Sequence, residues 1–269
     1  MTLLRYIVEF YNFIQTGSTG DLRLGNGNIT INGDISANGL FSLNAANANI
    51  NGLLSASEFE ENVTGNLNMN NELNKAIISP EFVQCVFSDE EIDHMFFSDI
   101  STQLIHSDYT VNDNNIVMDS DTIVEGYIQM TGNVNIMHNL KANGDIVING
   151  NVNNTISGIV YSKNGNVTLT SNNINYNGFT YAPNGTVKIQ GNNISITGTI
   201  IAQTLIIDGD TVNFNIAEID QGASGDVSPA ITLTDFQRRL GDMDMNQIID
   251  IFSQMHILCR SSAGNAAKK

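Results

Sequence analysis

The residues able to do chemistry are few, and most of them are carboxylates. Asp119 and Asp121, and again Asp208 and Asp210, are spaced by two, which on a strand would turn both side chains of a pair to one side. Asp113 and Glu125 flank the first pair. Paired carboxylates on one face of a β-helix are what a glycoside hydrolase or a calcium-dependent lyase requires. Neither pair has an Arg or Lys close in sequence, and the chain has no Trp on which a sugar ring could stack. The carboxylates therefore read as a solvated acidic edge, with polysaccharide cleavage as the rival.

Other constellations are weaker. "DMDMNQIIDIF" from Asp242 opens like a calcium loop, but Gln247 stands where Gly is needed and Ser253 where a bidentate Glu is needed. His94, His106, His138 and His256 are scattered without metal-ligand spacing, and Cys85 and Cys259 lie far apart with no Cys-x-x-Cys pattern. No G-x-S-x-G elbow is present. The expectation is no catalytic residue, no cofactor and no metal.

The polar surface must instead come from uncharged groups. Only 14% of the 269 residues are charged, and 28 acidic against 11 basic residues give a net charge of -17. That balance repels nucleic-acid backbones and anionic lipid. No run of about 18 apolar residues exists to cross a membrane as a helix. The opening "MTLLRYIVEFYNFIQ" is interrupted by Glu9 and lacks a small-residue cleavage site, so it is not expected to be a signal peptide. Its apolar residues recur at helical spacing, predicting an amphipathic capping helix within residues 1–25.

What would position any surface chemistry is a repeat. "YSKNGNVTLTSNNINYNGF" from Tyr161 returns as "YAPNGTVKIQGNNISITGT" from Tyr181, a period of about 20 residues. Asn164 aligns with Asn184, Gly165 with Gly185, and Asn173 with Asn193. A looser copy follows from Ile200 and another precedes at "NGDIVINGNV", while "INGDISA" at 31–37 returns as "INGLLSA" at 50–56. Within each copy apolar residues alternate (Val167, Leu169; Ile194, Ile196), as in a strand buried on one face, and Gly and Asn mark the corners. The fold expected is all-β: a parallel β-helix, or β-solenoid, with short helical caps and a partly helical acidic insertion. Asn at equivalent corners predicts side-chain ladders, Asn164 over Asn184 and Asn173 over Asn193. Thr168 and Thr170 suggest an ice-binding pair, but Lys188 and Gln190 replace them one turn on.

The composition divides the chain into an N-terminal cap (1–25), first rungs (26–56), an acidic connector (57–125), the main solenoid (126–215) and a helical C-terminal cap and tail (216–269). In the connector, Ser88 with Glu91 forms a capping box opening a helix at "DEEIDHMF". The C-terminal segment has Thr234 or Asp235 as N-cap of a further helix.

The run "VYSKNGNVTLTSNNINYNGFTYAPNGTVKIQGNNISITGTIIAQTLIIDGDTVNFN", Val160 to Asn215, resembles the Asn/Gly-rich solenoid segments of large surface or secreted proteins of Gram-positive anaerobes. "TGNVNIMHNLKANGDIVINGNV" extends the resemblance, which covers residues 26–215. In looser form the rungs are also similar to bactofilins, which polymerise through apolar solenoid ends; the helical ends expected here depart from that pattern. The resemblance implies a solenoid with no catalytic residues, exported or displayed at the bacterial surface, partnered by itself, by other surface proteins or by polysaccharide. The alternatives are a carbohydrate-active β-helix and, since no signal peptide is read, an intracellular bactofilin-like scaffold.

Overall fold

A computed structural model describes residues 13–17, 20–52, 54–69, 88–97 and 102–215. These residues form a parallel β-solenoid, as the repeat requires. The alternation read in the sequence is the alternation of burial: Val167, Leu169, Ile194 and Ile196 point inward and are all but inaccessible, while Thr168, Thr170 and Ser195 between them reach solvent.

Each turn supplies three strand segments, and like segments of successive turns pair in parallel. Strands β7 (Gln103–Ile105), β9 (Thr122–Val124), β11 (Leu140–Ala142) and the end of β13 (Asn153–Ser162) build the first column. The second runs through the start of β8 (Tyr109–Met118), the start of β10 (Ile128–Ile136), β12 (Ile146–Asn149) and β14 (Val167–Thr170). The third uses the ends of β8 and β10 and the start of β13. All three continue into β15 (Asn173–Asn215), a single strand that bends round the corners.

The rungs at the N-terminus do not precede this body; they follow it in space. Strand β2 (Leu22–Asn32) pairs with the last turn of β15, placing Leu22 on Leu205, Leu24 on Ile207, Ile29 on Val212 and Ile31 on Phe214. Strand β1 (Phe13–Thr16) sets Ile14 on Ile200. Next come β3 (Asp34–Ala45) and β4 (Asn47–Asn51), and then β5 (Leu54–Val63) and β6 (Leu67–Met69). Along the rod the order is thus 102–215 and then 13–69. One continuous core of Leu, Ile, Val, Ala and Phe runs through both parts. Residues 70–101 join the two, and helix α1 (Asp89–Phe96) on that join lies against the outside of the first column.

Several boundaries differ from those expected. Residues 13–16 form a strand and not the end of a helix, because Ile14 is claimed between Ile35 and Ile200 by backbone pairing. The solenoid starts before residue 26 and includes 57–69 and 103–125, which composition had assigned to the connector. There Glu58 and Glu60 lie on the solvent side of a rung, flanking the partly buried Phe59, while Glu61 registers on Leu43 at an inner position that the end of the described rod leaves exposed. The helix at 89–96 lies where Ser88 predicts it. The expected caps in 1–12 and 216–269 fall outside the described residues, as do Cys85, Cys259, His256 and the calcium-like segment.

At the entry to the first column Gly158, Gly178 and Gly198 stack, and the last has φ +136°. A Cβ there would sit 2.0 Å from the carbonyl oxygen of Gly178. Gly198→Ala is therefore expected to lower stability by about 1–3 kcal/mol. Gly25→Ala, whose new methyl would meet only Asp208 Oδ1 at 3.7 Å, is expected to be neutral or to stabilise by up to ~1 kcal/mol. Thermal melts of the two variants compare them directly; equal losses would contradict the stacking.

Candidate functional site

The carboxylate pairs do not converge. Asp119 to Asp121 lie at the corner between β8 and β9 and not on a strand, so the spacing of two does not align them: Asp119 is exposed and Asp121 is only 4% exposed. Asp121 accepts the backbone N–H of Asn139 at 2.9 Å and lies 3.6 Å from His138 Nδ1. Asp208 accepts the Asn26 amide, whereas Asp210 is exposed at the next corner. Asp113 is exposed, and Glu125 meets His106 Nδ1 at 3.1 Å. His94 falls within α1. Among the described residues no group of three His, Cys, Asp or Glu could hold a metal.

Carboxylates instead serve the corners. Asp145 Oδ1 accepts Asn166 N–H at 2.7 Å, and Asn166 Oδ1 accepts Thr186 N–H at 2.8 Å, each one turn on. Asp108 does the same for Tyr127 N–H at 3.1 Å and Asp21 for Leu40 N–H at 3.1 Å. A corner leaves N–H groups without a strand partner, and a short side chain with a lone-pair oxygen satisfies them. The signal was present in "NGDI", "NGNV" and "NGTV", in which the residue after Gly carries an oxygen.

The predicted ladder exists on the third column. Asn193 Nδ2 donates to Asn173 Oδ1 at 2.9 Å, and Asn173 Nδ2 donates to Asn153 Oδ1 at 2.9 Å. Asn133 Oδ1 then accepts Asn153 N–H at 3.2 Å. Past the junction with the N-terminal rungs the same pattern resumes: Asn47 donates to Asn28 at 2.8 Å, Asn51 to Asn32 at 2.7 Å, and Asn32 to Asn215 at 2.7 Å. Asn164 and Asn184 differ from expectation. Both are exposed, and Asn184 Nδ2 donates to the backbone carbonyl of Lys163 at 3.0 Å and not to Asn164. Their corner is held by Gly165 and Gly185: a Cβ on Gly185 would lie 1.9 Å from Gly165 O.

The outer side of this third column is a broad uncharged surface. Its outward positions read Asn153, Thr155, Asn173, Asn175, Asn193, Ser195, Thr211 and Asn213, and these line a shallow groove of about 430 Å³. By contrast the second column carries Lys188, Asp208 and Arg23 on its outside. Thr168 and Thr170 lie there too, paired with Lys188 and Gln190.

The first column is covered. Ile92, Phe96 and Phe97 pack on Ile159, Tyr161, Phe179, Tyr181 and Ile201. Tyr161 and Tyr181 rings lie 5.3 Å apart and Phe96 approaches Phe179 at 6.3 Å. Under the helix Lys141, 3% exposed, pairs with Asp89 at 2.7 Å and Asp93 at 2.5 Å, and its ammonium sits 5.5 Å from the Tyr161 ring centroid. Lys163 reaches Asp89 Oδ2 at 2.7 Å, and Tyr161 donates to Asp89 Oδ1 at 3.2 Å. At the other end of the helix Asn139 Nδ2 donates to Phe96 O at 2.8 Å. Burial pushes the Asp89 carboxyl upward, but hydrogen bonds and charge from Lys141 and Lys163 outweigh it, and the group lies below its ordinary value. The Asp89 hydrogen bond and charge in turn hold Lys163 above its own. Burial first, then the Asp89 charge, pushes the Tyr161 hydroxyl up. The sequence marks this clamp only by two acids one helical turn apart and by isolated lysines on the rungs.

Residues 94–219 are similar to a family described as a domain of unknown function (DUF7305). That span takes in β7 to β15 and leaves out the N-terminal rungs. No curated protein and no solved structure matches the chain. No helix among the described residues is long and apolar enough to cross a membrane.

Two measurements probe these surfaces. Asn173→Ala removes one ladder donor and one acceptor and is expected to cost about 1–2 kcal/mol, since each exposed bond contributes ~1 kcal/mol or less; Asn164→Ala, outside the ladder, is expected to cost less in the same denaturant titration. For the clamp, a carboxyl depressed below the unfolded value of ~3.9 stabilises the docked helix in full above that pH and is lost as pH falls through the depressed folded value. The near-UV dichroism of the Tyr161–Tyr181 pair should therefore persist at pH 5 and decline only below about pH 4. A loss centred between those values and neutrality would contradict the ion pairs.

Proposed function

We propose that this chain is a non-enzymatic structural rod displayed at the bacterial cell surface, built to assemble end to end into fibres. The observation that carries the reading is where the polar side chains go. Asn173, Asn193, Asp145, Asn166 and Asp121 all hold one rung to the next, which serves stiffness, and the cluster of Asp89, Asp93, Lys141, Lys163 and Tyr161 holds α1 on the rungs. The ends of the described rod support assembly: Phe59, Val63, Leu67 and Met69 at one end, and Ile105, Tyr109 and Val111 at the other, are core positions only partly buried. Such half-covered rungs favour a further rung. Display at the surface rests on the resemblance of Val160–Asn215 to segments of surface proteins.

A second reading is favoured by the groove over Asn153, Asn173 and Asn193. Rows of amides and hydroxyls repeating every ~4.8 Å along the rod suit an extended neutral polysaccharide, bound and not cleaved. The two readings are compatible, because the groove lies on the side of the rod and the joints at its ends.

Negative-stain electron microscopy across protein concentration tests the first reading. Filaments one rod wide, lengthening with concentration, are expected; discrete short particles at every concentration would overturn end-to-end assembly.

A further inference from the structure

The contact between β2 and β15 is a joint between two bodies of one chain. Residues 13–69 and 102–215 are linked covalently only through residues 70–101, yet they meet through the same contacts that join consecutive turns. The ladder runs from Leu205 on Leu22 to Asn215 on Asn32 with one residue skipped on each side. Leu22, Leu24, Ile29 and Ile31 close the core over Leu205, Ile207, Val212 and Phe214. Corner bonds complete it: Gly17 N–H donates to Gln203 O at 3.1 Å and Leu205 N–H to Asp21 O at 2.9 Å. Nothing in this geometry depends on both rungs belonging to one molecule. The family similarity, 94–219, likewise covers one body and stops at the joint.

The link is also long enough. Eighteen residues, 70–87, separate Met69 from Ser88, a reach of ~60 Å when extended. From β5 back to the rungs that hold Asp89, at Tyr161 and Lys141, the distance is about five or six rung spacings, or ~24–29 Å. The link therefore leaves the docking partner open to choice, and closure within one chain is favoured by effective concentration alone.

We propose that the partner of this joint is a second copy of the chain: residues 13–69 of one molecule dock on the 205–215 edge of another, exchanging N-terminal rungs. Reciprocal exchange closes a dimer, and sequential exchange propagates an open chain of molecules. The inference rests on the reading of the protein as a self-assembling rod and assigns the joint.

Asn32 and Asn215 are directly paired across the joint, at the ~4.8 Å spacing of neighbouring strands, within the Cα range of a disulfide. In a background of Cys85→Ser and Cys259→Ser, one chain carries Asn32→Cys and a co-expressed chain carries Asn215→Cys. A disulfide-linked dimer, absent when either chain is expressed alone, is the expected result. The chain carrying both substitutions should cross-link whether the joint closes within one molecule or between two, and so reports that the joint has formed. Internal cross-linking of that chain without any dimer from the mixture would overturn exchange. Failure of the doubly substituted chain to cross-link would overturn the joint itself. Filaments in the micrographs without a cross-linked dimer would retain end-to-end assembly and reject exchange, while closed cross-linked dimers without filaments would do the reverse.

Discussion

A single turn of this chain cannot bury its own inner side chains, and this requirement organises the molecule. Val167 and Leu169 are sealed because Ile146 and Ile148 lie on one side and Val187 and Ile189 on the other. The same demand explains why the N-terminal rungs stack on Leu205 to Phe214: those inner side chains need a neighbour, and the rung 22–32 offers matching ones. Order along the chain is secondary to this demand, which is how a rod can be assembled out of sequence order.

Stacking sets the polar chemistry as well. Strand pairing satisfies the backbone along each column, leaving the corners and the outer rows to side chains. Short groups with oxygen acceptors fill the corners, which is why Asp145, Asp108, Asp21 and Asp121 face backbone N–H groups. A carboxylate held in that way serves as a structural acceptor. The three outer sides consequently diverge in character: one covered by α1, one charged and one lined by neutral amides and hydroxyls. Only the last combines openness with regularity, and it is there that a ligand reading has physical support.

The sequence made the rung legible but not the rod. Two nearly identical stretches from Tyr161 and Tyr181 expose the period, the inner residues and the Asn173–Asn193 ladder, because stacking copies a local pattern. Helix α1 was equally plain from the capping box of Ser88 with Glu91, and its Ile92 and Phe96 are buried against the rungs. Hidden were the rungs at 57–69 and 103–125, whose exposed carboxylates resemble a linker, and the strand at 13–16, whose apolar residues fit a helix equally well. Asn184 escaped because a corner amide can choose a backbone carbonyl over its aligned partner. The permuted order was beyond reach in principle: alternation says that a rung needs a neighbour, and does not say which.

The central claim is that residues 13–69 and 102–215 form one continuous rod through the pairing of β2 with β15. Native-state hydrogen exchange resolved to the amides of 22–32 and 205–215 tests it most directly, using the wild-type chain and a Leu205→Asp variant. The account predicts that both segments are strongly protected in the wild type and lose protection together in the variant. Protection of 22–32 that is unaffected by Leu205→Asp would contradict it.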